Sequence, residues 1–283
     1  MKKSTESESN SDQLQSESQI QVIQVDQKKS KKQYRIFLML GIGTLIPFNC
    51  VIVPVDFWMK FYDSIFLSAA ALGYNAGNWI SMIMMLFFAN RIKQKTAVPI
   101  MLSVFLVSLI VIPLFHVLIA DVMAKTIVTL IPIFICGIAN GIFFPIIMDV
   151  AQSLDPINAQ SIMAGQGIAG LVPQFILIIL KGVFSAIVVD QDQEDLMLFI
   201  QTLIYFIIGA LLIVFCFVSW FQLQKMISEP LLQQNQEFKV KIPISKTLKE
   251  IKSPLISIFL IFAVTLAIFP TIIAPIPCNY LFK

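Results

Sequence analysis

The stretch "VTLIPIFICGIANGIFFPIIM", residues 128–148, is uncharged from end to end and decides the class of fold. A helix crosses the hydrocarbon core of a bilayer with about 20 consecutive, predominantly apolar residues, and this stretch is that long. Because lipid offers the backbone no hydrogen-bond partner, a segment of this kind is expected to be helical. Its prolines and glycines are tolerated in a membrane helix when neighbouring helices satisfy the freed backbone groups.

The composition of the whole chain also indicates a membrane protein. Of the 283 residues, 57% are hydrophobic and 13% are charged, and the mean hydropathy is +0.83. Soluble domains carry about 25% charged residues, so this much apolar surface needs a lipid-facing exterior. We predict an all-α membrane protein, a multi-helix transmembrane bundle. The predicted spans are roughly 36–56, 65–89, 97–118, 124–150, 159–184, 196–221 and 254–276.

Four regions follow from the distribution of polar residues. Residues 1–33 are rich in Ser, Gln, Glu and Lys and are predicted to be a disordered cytosolic tail. Residues 34–221 form a six-helix N-terminal bundle. Residues 222–253 form a polar cytosolic loop, and residues 254–283 hold the seventh helix and the chain end.

Basic residues are concentrated on one side of this predicted topology. Sixteen of the 20 Lys and Arg residues fall in the tail, the 90–96 turn and the 222–253 loop, whereas Lys60, Lys125, Lys181 and Lys283 fall on the other side. Loops rich in Lys and Arg stay in the cytosol. We therefore predict a cytosolic N-terminus, and membrane-surface solvation explains the basic run "KKSKKQYR" better than binding to nucleic acid.

The segment "MAGQGIAG", residues 163–170, matches the glycine pattern of a dinucleotide-binding loop. That pattern needs a preceding strand and an acidic residue on a following strand, and the sequence has neither. Small residues at this spacing also let two membrane helices approach closely. We predict helix packing at Gly137, Gly141, Gly165, Gly167 and Gly170, with the fourth and fifth spans packing on each other.

Catalytic and metal-binding patterns are absent from the sequence. It has one histidine, His116, and its four cysteines show no C-x-x-C spacing. We therefore expect no enzyme, no cofactor and no metal site, and His116 is expected near the membrane interface.

Several amides lie within the predicted spans and leave two interpretations open. Asn49, Asn75 and Asn78 are unfavourable in lipid, so they should face other helices or a wet cavity. They could act as interhelical contacts, or they could bind a neutral, hydrogen-bonding solute. Asp149 is expected to pair with Arg91 or Lys93.

Three motifs resemble the equilibrative nucleoside transporters. "FLMLGIGTLIPFNC" (37–50) is similar to the first helix of that family, "MAGQGIAG" to the fifth and "IFLIFAVTLAIFPTII" (258–273) to the seventh. The motifs occur in the family's order, and the resemblance covers roughly residues 34–276.

The resemblance implies an eleven-helix, major-facilitator-like bundle that moves nucleosides, sometimes nucleobases, by facilitated diffusion. It implies that the substrate is contacted by Leu45, Phe48, Asn49, Asn75, Asn78 and Phe269. Two positions depart from the family pattern: Phe48 replaces a Trp, and Phe144 stands where an amide is usual. Because the sequence stops at Lys283, we expect an N-terminal portion of a transporter, truncated after helix seven.

The expected partners are a nucleoside or nucleobase and the lipid bilayer, and not a nucleic acid. We expect the plasma membrane rather than an internal membrane. A non-transporting structural or regulatory membrane protein derived from the family is the alternative. A seven-helix receptor would place the N-terminus outside the cell, and a membrane enzyme would need a catalytic cluster.

The charge asymmetry predicts that epitope tags at residues 10 and 235 both face the cytosol. In intact cells, protease added outside should leave both tags uncut, and permeabilising the cells should expose both. Cleavage of either tag in intact cells contradicts the predicted topology.

Overall fold

The computed structural model describes residues 30–88, 91–185 and 193–227, and the positions Lys252, Ser253, Ile256, Ser257, Leu260, Ile261 and Val264. Across these ranges the regular structure is helical and contains no strand. The helices are α1 (Ser30–Ile52), α2 (Val55–Phe61), α3 (Phe66–Phe88), α4 (Gln94–Leu118), α5 (Val122–Leu154), α6 (Pro156–Ser185) and α7 (Glu194–Met226).

Among the described residues, five helices are long and apolar enough to cross a membrane, namely α1, α4, α5, α6 and α7. Helix α3 has a comparable length of 23 residues but contains Asn75 and Asn78, which lower its hydropathy. The chain is thus an all-α transmembrane bundle, as the sequence predicted. The predicted span 254–276 lies mostly outside the described residues.

The first predicted span, roughly 36–56, extends past the C-terminal end of helix α1. Helix α1 begins at Ser30 and ends at Ile52, ahead of Pro54. Proline has no backbone N–H and its ring clashes with the preceding turn, so the helix stops and α2 starts afresh at Val55. The seven-residue helix α2 was not predicted, because it is too short to show a clear hydrophobic period.

Helix α2 is attached to the end of the bundle at which α1 terminates. Phe57 and Trp58 are buried, and the indole Nε1 of Trp58 donates a hydrogen bond to the Val51 carbonyl at 2.6 Å. Two exposed ion pairs extend from the same helix. Lys60 contacts Asp195 at the start of α7, at 2.5 Å, and Asp56 contacts Lys181 near the end of α6.

Helices α3 and α5 pack backbone to backbone. A Cβ atom on Gly137 would overlap the Tyr74 carbonyl, and one on Gly141 would overlap the Asn78 carbonyl. Gly77 of α3 faces the Phe134 carbonyl in the same way. Absence of a side chain at these three positions therefore sets how closely the two helices approach.

Gly165 of α6 faces α1 and not α5, so the prediction that the fourth and fifth spans pack through their glycines is wrong. A Cβ atom on Gly165 would overlap the Leu38 carbonyl, and one on Gly41 of α1 would overlap the Ile162 carbonyl. Helices α5 and α6 still touch, but neither glycine surface lies between them. Glycine spacing indicates that some backbone comes close, but it does not say which one.

Gly167 and Gly170, predicted as packing positions, are exposed. A Cβ atom added at either would meet no described atom within 4 Å. They lie on the side of α6 turned away from α1. The segment 163–170 therefore has one packed glycine and two open ones.

This difference within one segment predicts opposite effects of the same substitution. Gly165→Ala forces a methyl group into the α1 backbone, and overpacking of this kind costs about 1–3 kcal/mol. Gly167→Ala meets open space and gains up to about 1 kcal/mol of helix propensity. In detergent, the apparent Tm should fall for Gly165→Ala and should stay level or rise for Gly167→Ala. Equal destabilisation by both variants would contradict the packing assignment.

Candidate functional site

Helix α1 occupies the middle of the bundle and touches α3, α6 and α7. The Cys216 thiol of α7 donates to the Met39 carbonyl at 3.2 Å, and the Tyr205 hydroxyl of α7 donates to the Asn49 carbonyl at 3.2 Å. On α1, Leu45, Phe48 and Asn49 remain only half-buried. They lie on a part of the helix that its neighbours leave partly open.

A first row of polar contacts joins α1 to α6. The Gln166 side-chain amide donates to the Thr44 hydroxyl at 3.1 Å. One and a half turns further on, the Asn49 side-chain amide donates to the Ala169 carbonyl at 2.7 Å. We call these contacts the α1–α6 polar row. Because Gly165 lies beside them, close backbone approach brings the amides within hydrogen-bonding distance of their acceptors.

A second polar row joins α3 to α5. The Asn140 side-chain amide lies 3.4 Å from the side-chain oxygen of Asn78. Ser81, one turn further along α3, bonds the carbonyls of Gly77 and Asn78. We call this the α3–α5 polar row. It lies over the glycine contacts that bring these two helices together.

One aromatic contact connects the two rows. The rings of Phe48 on α1 and Tyr74 on α3 have centroids 4.8 Å apart, tilted by 40°. Tyr74 was not singled out from the sequence, although a phenol in mid-membrane needs a hydrogen-bond partner and could have signalled a site. The helices α1, α3, α5 and α6 thereby present the two polar rows and one aromatic pair.

Two buried polar atoms in this region lack a hydrogen-bond partner in the described part of the chain. They are the Tyr74 hydroxyl and the side-chain oxygen of Asn140. An unsatisfied buried polar group costs about 1–3 kcal/mol, so such atoms are rarely left bare without a reason. Both lie beside residues that the sequence indicated, since Tyr74 precedes Asn75 and Asn140 contacts Asn78.

The residues predicted to contact the substrate differ in their hydrogen-bond partners. Asn49 bonds α6 and Asn78 bonds α5, whereas the Asn75 amide donates at 2.8 Å to the Ala71 carbonyl of its own helix. Asn75 and Asn78 are both half-buried. Leu45 packs against the core, and Phe269 lies outside the described residues.

A separate aromatic cluster surrounds His116 at the end of the bundle where α2 lies. The His116 ring is 4.4 Å from that of Phe61, and its Nδ1 is 3.4 Å from the Lys125 ammonium. Lys125 is only 5% exposed, and its ammonium lies 4.8 Å from the Tyr62 ring centroid, a cation–π contact. Burial raises the pKa of Tyr62 to about 12, so this phenol is neutral and shares a hydrogen bond with Thr129.

The described His, Cys, Asp and Glu side chains are dispersed through the bundle. No group of three or more His, Cys, Asp or Glu side chains there is arranged to hold a metal ion. Asp149, expected to pair with Arg91 or Lys93, accepts a hydrogen bond from the neighbouring Gln94 at 3.0 Å. Cys50, Cys136 and Cys216 are buried free thiols.

Comparison with known proteins gives one informative match. No protein-family model matches the chain. The chain is 24% identical over 262 residues to a protein of Arabidopsis thaliana described as "Equilibrative nucleotide transporter 8". The match covers 88% of this chain, and the chain spans 65% of the length of that relative. This similarity supports a relationship between the chain and the equilibrative nucleoside transporter family.

Proposed function

We propose that this chain takes part in moving nucleosides across a membrane by facilitated diffusion. The observation that carries the proposal is the pair of polar rows between apolar helices, in which Asn49, Asn78 and Gln166 are half-buried, joined by the Phe48–Tyr74 ring contact. Polar groups inside a membrane are costly and mark solute pathways when they face a cavity. The description of the Arabidopsis relative as a transporter supports the same conclusion.

The chemistry of the two rows favours an uncharged solute. Their side chains are amides, hydroxyls and aromatic rings, and amides can both donate to and accept from a base or a ribose edge. Phe48 and Tyr74 add a ring surface on which a base could stack. A nucleotide, which the relative's name specifies, carries phosphate charges and calls for Arg or Lys partners. We therefore propose nucleosides, with nucleobases as close alternatives.

The orientation we propose has the N-terminus in the cytosol and the plasma membrane as the location. Sixteen of the 20 basic residues would then face the cytosol. The competing hypothesis is a non-transporting structural or regulatory protein. It predicts that the polar rows serve only to hold helices together and never meet a solute.

Cysteine accessibility distinguishes these hypotheses. Asn75→Cys, in a Cys278→Ser background, should react with a water-soluble thiol reagent, and adenosine or uridine should slow the reaction. The buried Cys50, Cys136 and Cys216 should contribute little background. Val218→Cys, on an exposed apolar part of α7, is the matched control and should stay unlabelled because lipid covers it.

The same assay ranks the ligands. Adenosine should protect Asn75→Cys at least tenfold better than AMP, because the phosphate has no cation in the two rows. Uptake of radiolabelled uridine by cells that lack nucleoside transport is measured in parallel. Labelling that no nucleoside slows, with no uptake, would favour the non-transporting alternative.

Alanine substitutions separate helix contact from solute contact. Asn78→Ala and Asn140→Ala each remove one side of an interhelical bond, so both should lower the Tm in detergent, with a coupling of about 0.6 kcal/mol in the double variant. Asn75 bonds its own helix, so Asn75→Ala should leave the Tm nearly unchanged. Its effect should appear instead as weaker protection by nucleosides at the Gln166→Cys position. A normal response to nucleosides in Asn75→Ala would remove this residue from the proposed path.

A further inference from the structure

Exposed basic residues collect at the end of the bundle where α1 begins. Lys31, Lys32 and Arg35 are exposed in the first two turns of α1. Lys225 is exposed in the last turn of α7, and Lys93 is exposed at the start of α4. We call these five residues the basic rim.

The contacts between α1 and α7 place the basic residues of these two helices at the same height along the bundle axis. Met39 and Asn49 of α1 bond Cys216 and Tyr205 of α7, so the two helices run antiparallel. Lys31 lies eight residues before Met39 in α1, and Lys225 lies nine residues after Cys216 in α7. At about 1.5 Å per residue, both are roughly 12–14 Å beyond the Met39–Cys216 contact.

Helix α4 joins the same level through α7. The Gln224 side-chain amide lies 3.4 Å from the Lys95 carbonyl, which brings the start of α4 beside the end of α7. Lys93 caps α4 two residues before that carbonyl. Three helices that are distant in sequence thus contribute cations to one rim.

At the opposite end of the bundle, the lysines contact carboxylates or an aromatic ring. There, Lys60 and Lys181 are neutralised by Asp195 and Asp56, and Lys125 lies against the Tyr62 ring. At the rim end, Asp155 accepts the backbone N–H of Ile157, and Asp149 accepts from Gln94.

We propose that the basic rim binds the head groups of anionic phospholipids in the leaflet at this end of the bundle. Buried Ile36 and Phe37 follow the α1 cations directly, so these cations stand at the boundary between the apolar span and water. Long Lys and Arg side chains place their apolar stems along the helix and their charges at the phosphate level. Clusters of four to eight such residues beside a membrane helix attract anionic lipids. A lipid head group is the expected ligand because the α1 cations lie at the start of a helix that is long and apolar enough to cross a membrane.

The test uses the purified full chain in detergent, titrated with short-chain phosphatidylserine and, separately, with short-chain phosphatidylcholine. The wild type should bind the serine lipid more tightly, and salt should weaken that binding. Each Lys near the surface contributes about fivefold in affinity, so Lys31→Gln/Lys32→Gln/Lys225→Gln should lose about 100-fold. Lys60→Gln, an exposed Lys at the opposite end, is the matched control and should bind as the wild type does.

A Tm comparison and a soluble polyanion serve as controls for folding and for non-specific charge attraction. The Tm of the triple variant in phosphatidylcholine nanodiscs should equal that of the wild type, because the three side chains are exposed. Inositol hexakisphosphate, a soluble polyanion, should bind at least tenfold more weakly per phosphate than the lipid. Unchanged lipid affinity in the triple variant, or equal affinity for the soluble polyanion, overturns the proposal. Detergent and nanodiscs give both ends of the bundle the same surroundings, so the outcome does not depend on the topology or on transport.

Discussion

Apolar helices in lipid gain nothing by leaving hydrocarbon for each other, so close backbone approach has to hold this bundle together. The glycines supply that approach at two places. Gly137 and Gly141 let α5 lie directly on α3. Gly41 and Gly165 each lie against a backbone carbonyl of the other helix, which brings α1 and α6 close together. The contacts that Gln166, Asn49 and Asn140 make between helices depend on these approaches. Without them, the amides of Asn49 and Asn140 would be too far from their acceptors.

The sequence predicted the spans that correspond to α1, α4, α5, α6 and α7, because about 20 uninterrupted apolar residues have few alternatives to a membrane helix. It failed at Pro54, where the hydrophobic run continues but the helix cannot, and it missed α2 because seven residues are too few to show a hydrophobic period. It also failed to pair the glycine surfaces correctly. Small-residue spacing reports a close neighbour, yet the choice between α1, α3 and another helix depends on the three-dimensional arrangement of all of them.

The candidate site was predictable in residue type and not in partners. Amides within apolar spans drew attention to Asn49, Asn75 and Asn78, because a polar group in lipid needs an explanation. Their hydrogen-bond partners could not be predicted. Asn49 and Asn78 bond residues of other helices that the sequence does not indicate, and Asn75 bonds a carbonyl of its own helix. Tyr74 was missed because an aromatic residue looks apolar in a hydropathy profile. Only the packed bundle shows that its hydroxyl is buried and has no hydrogen-bond partner among the described residues.

The central position of α1 has a consequence for biosynthesis. Its hydrogen-bond partners in α6 and α7 lie 120 to 177 residues further along the chain. At about 5–20 residues per second, a ribosome needs roughly 6–35 s to deliver them. Helices α3 and α5 are made closer together, since Asn78 and Asn140 are 62 residues apart. Helix α1 therefore completes its contacts only after α6 and α7 have been made, and Asn49 lacks this hydrogen-bond acceptor until Ala169 has been translated.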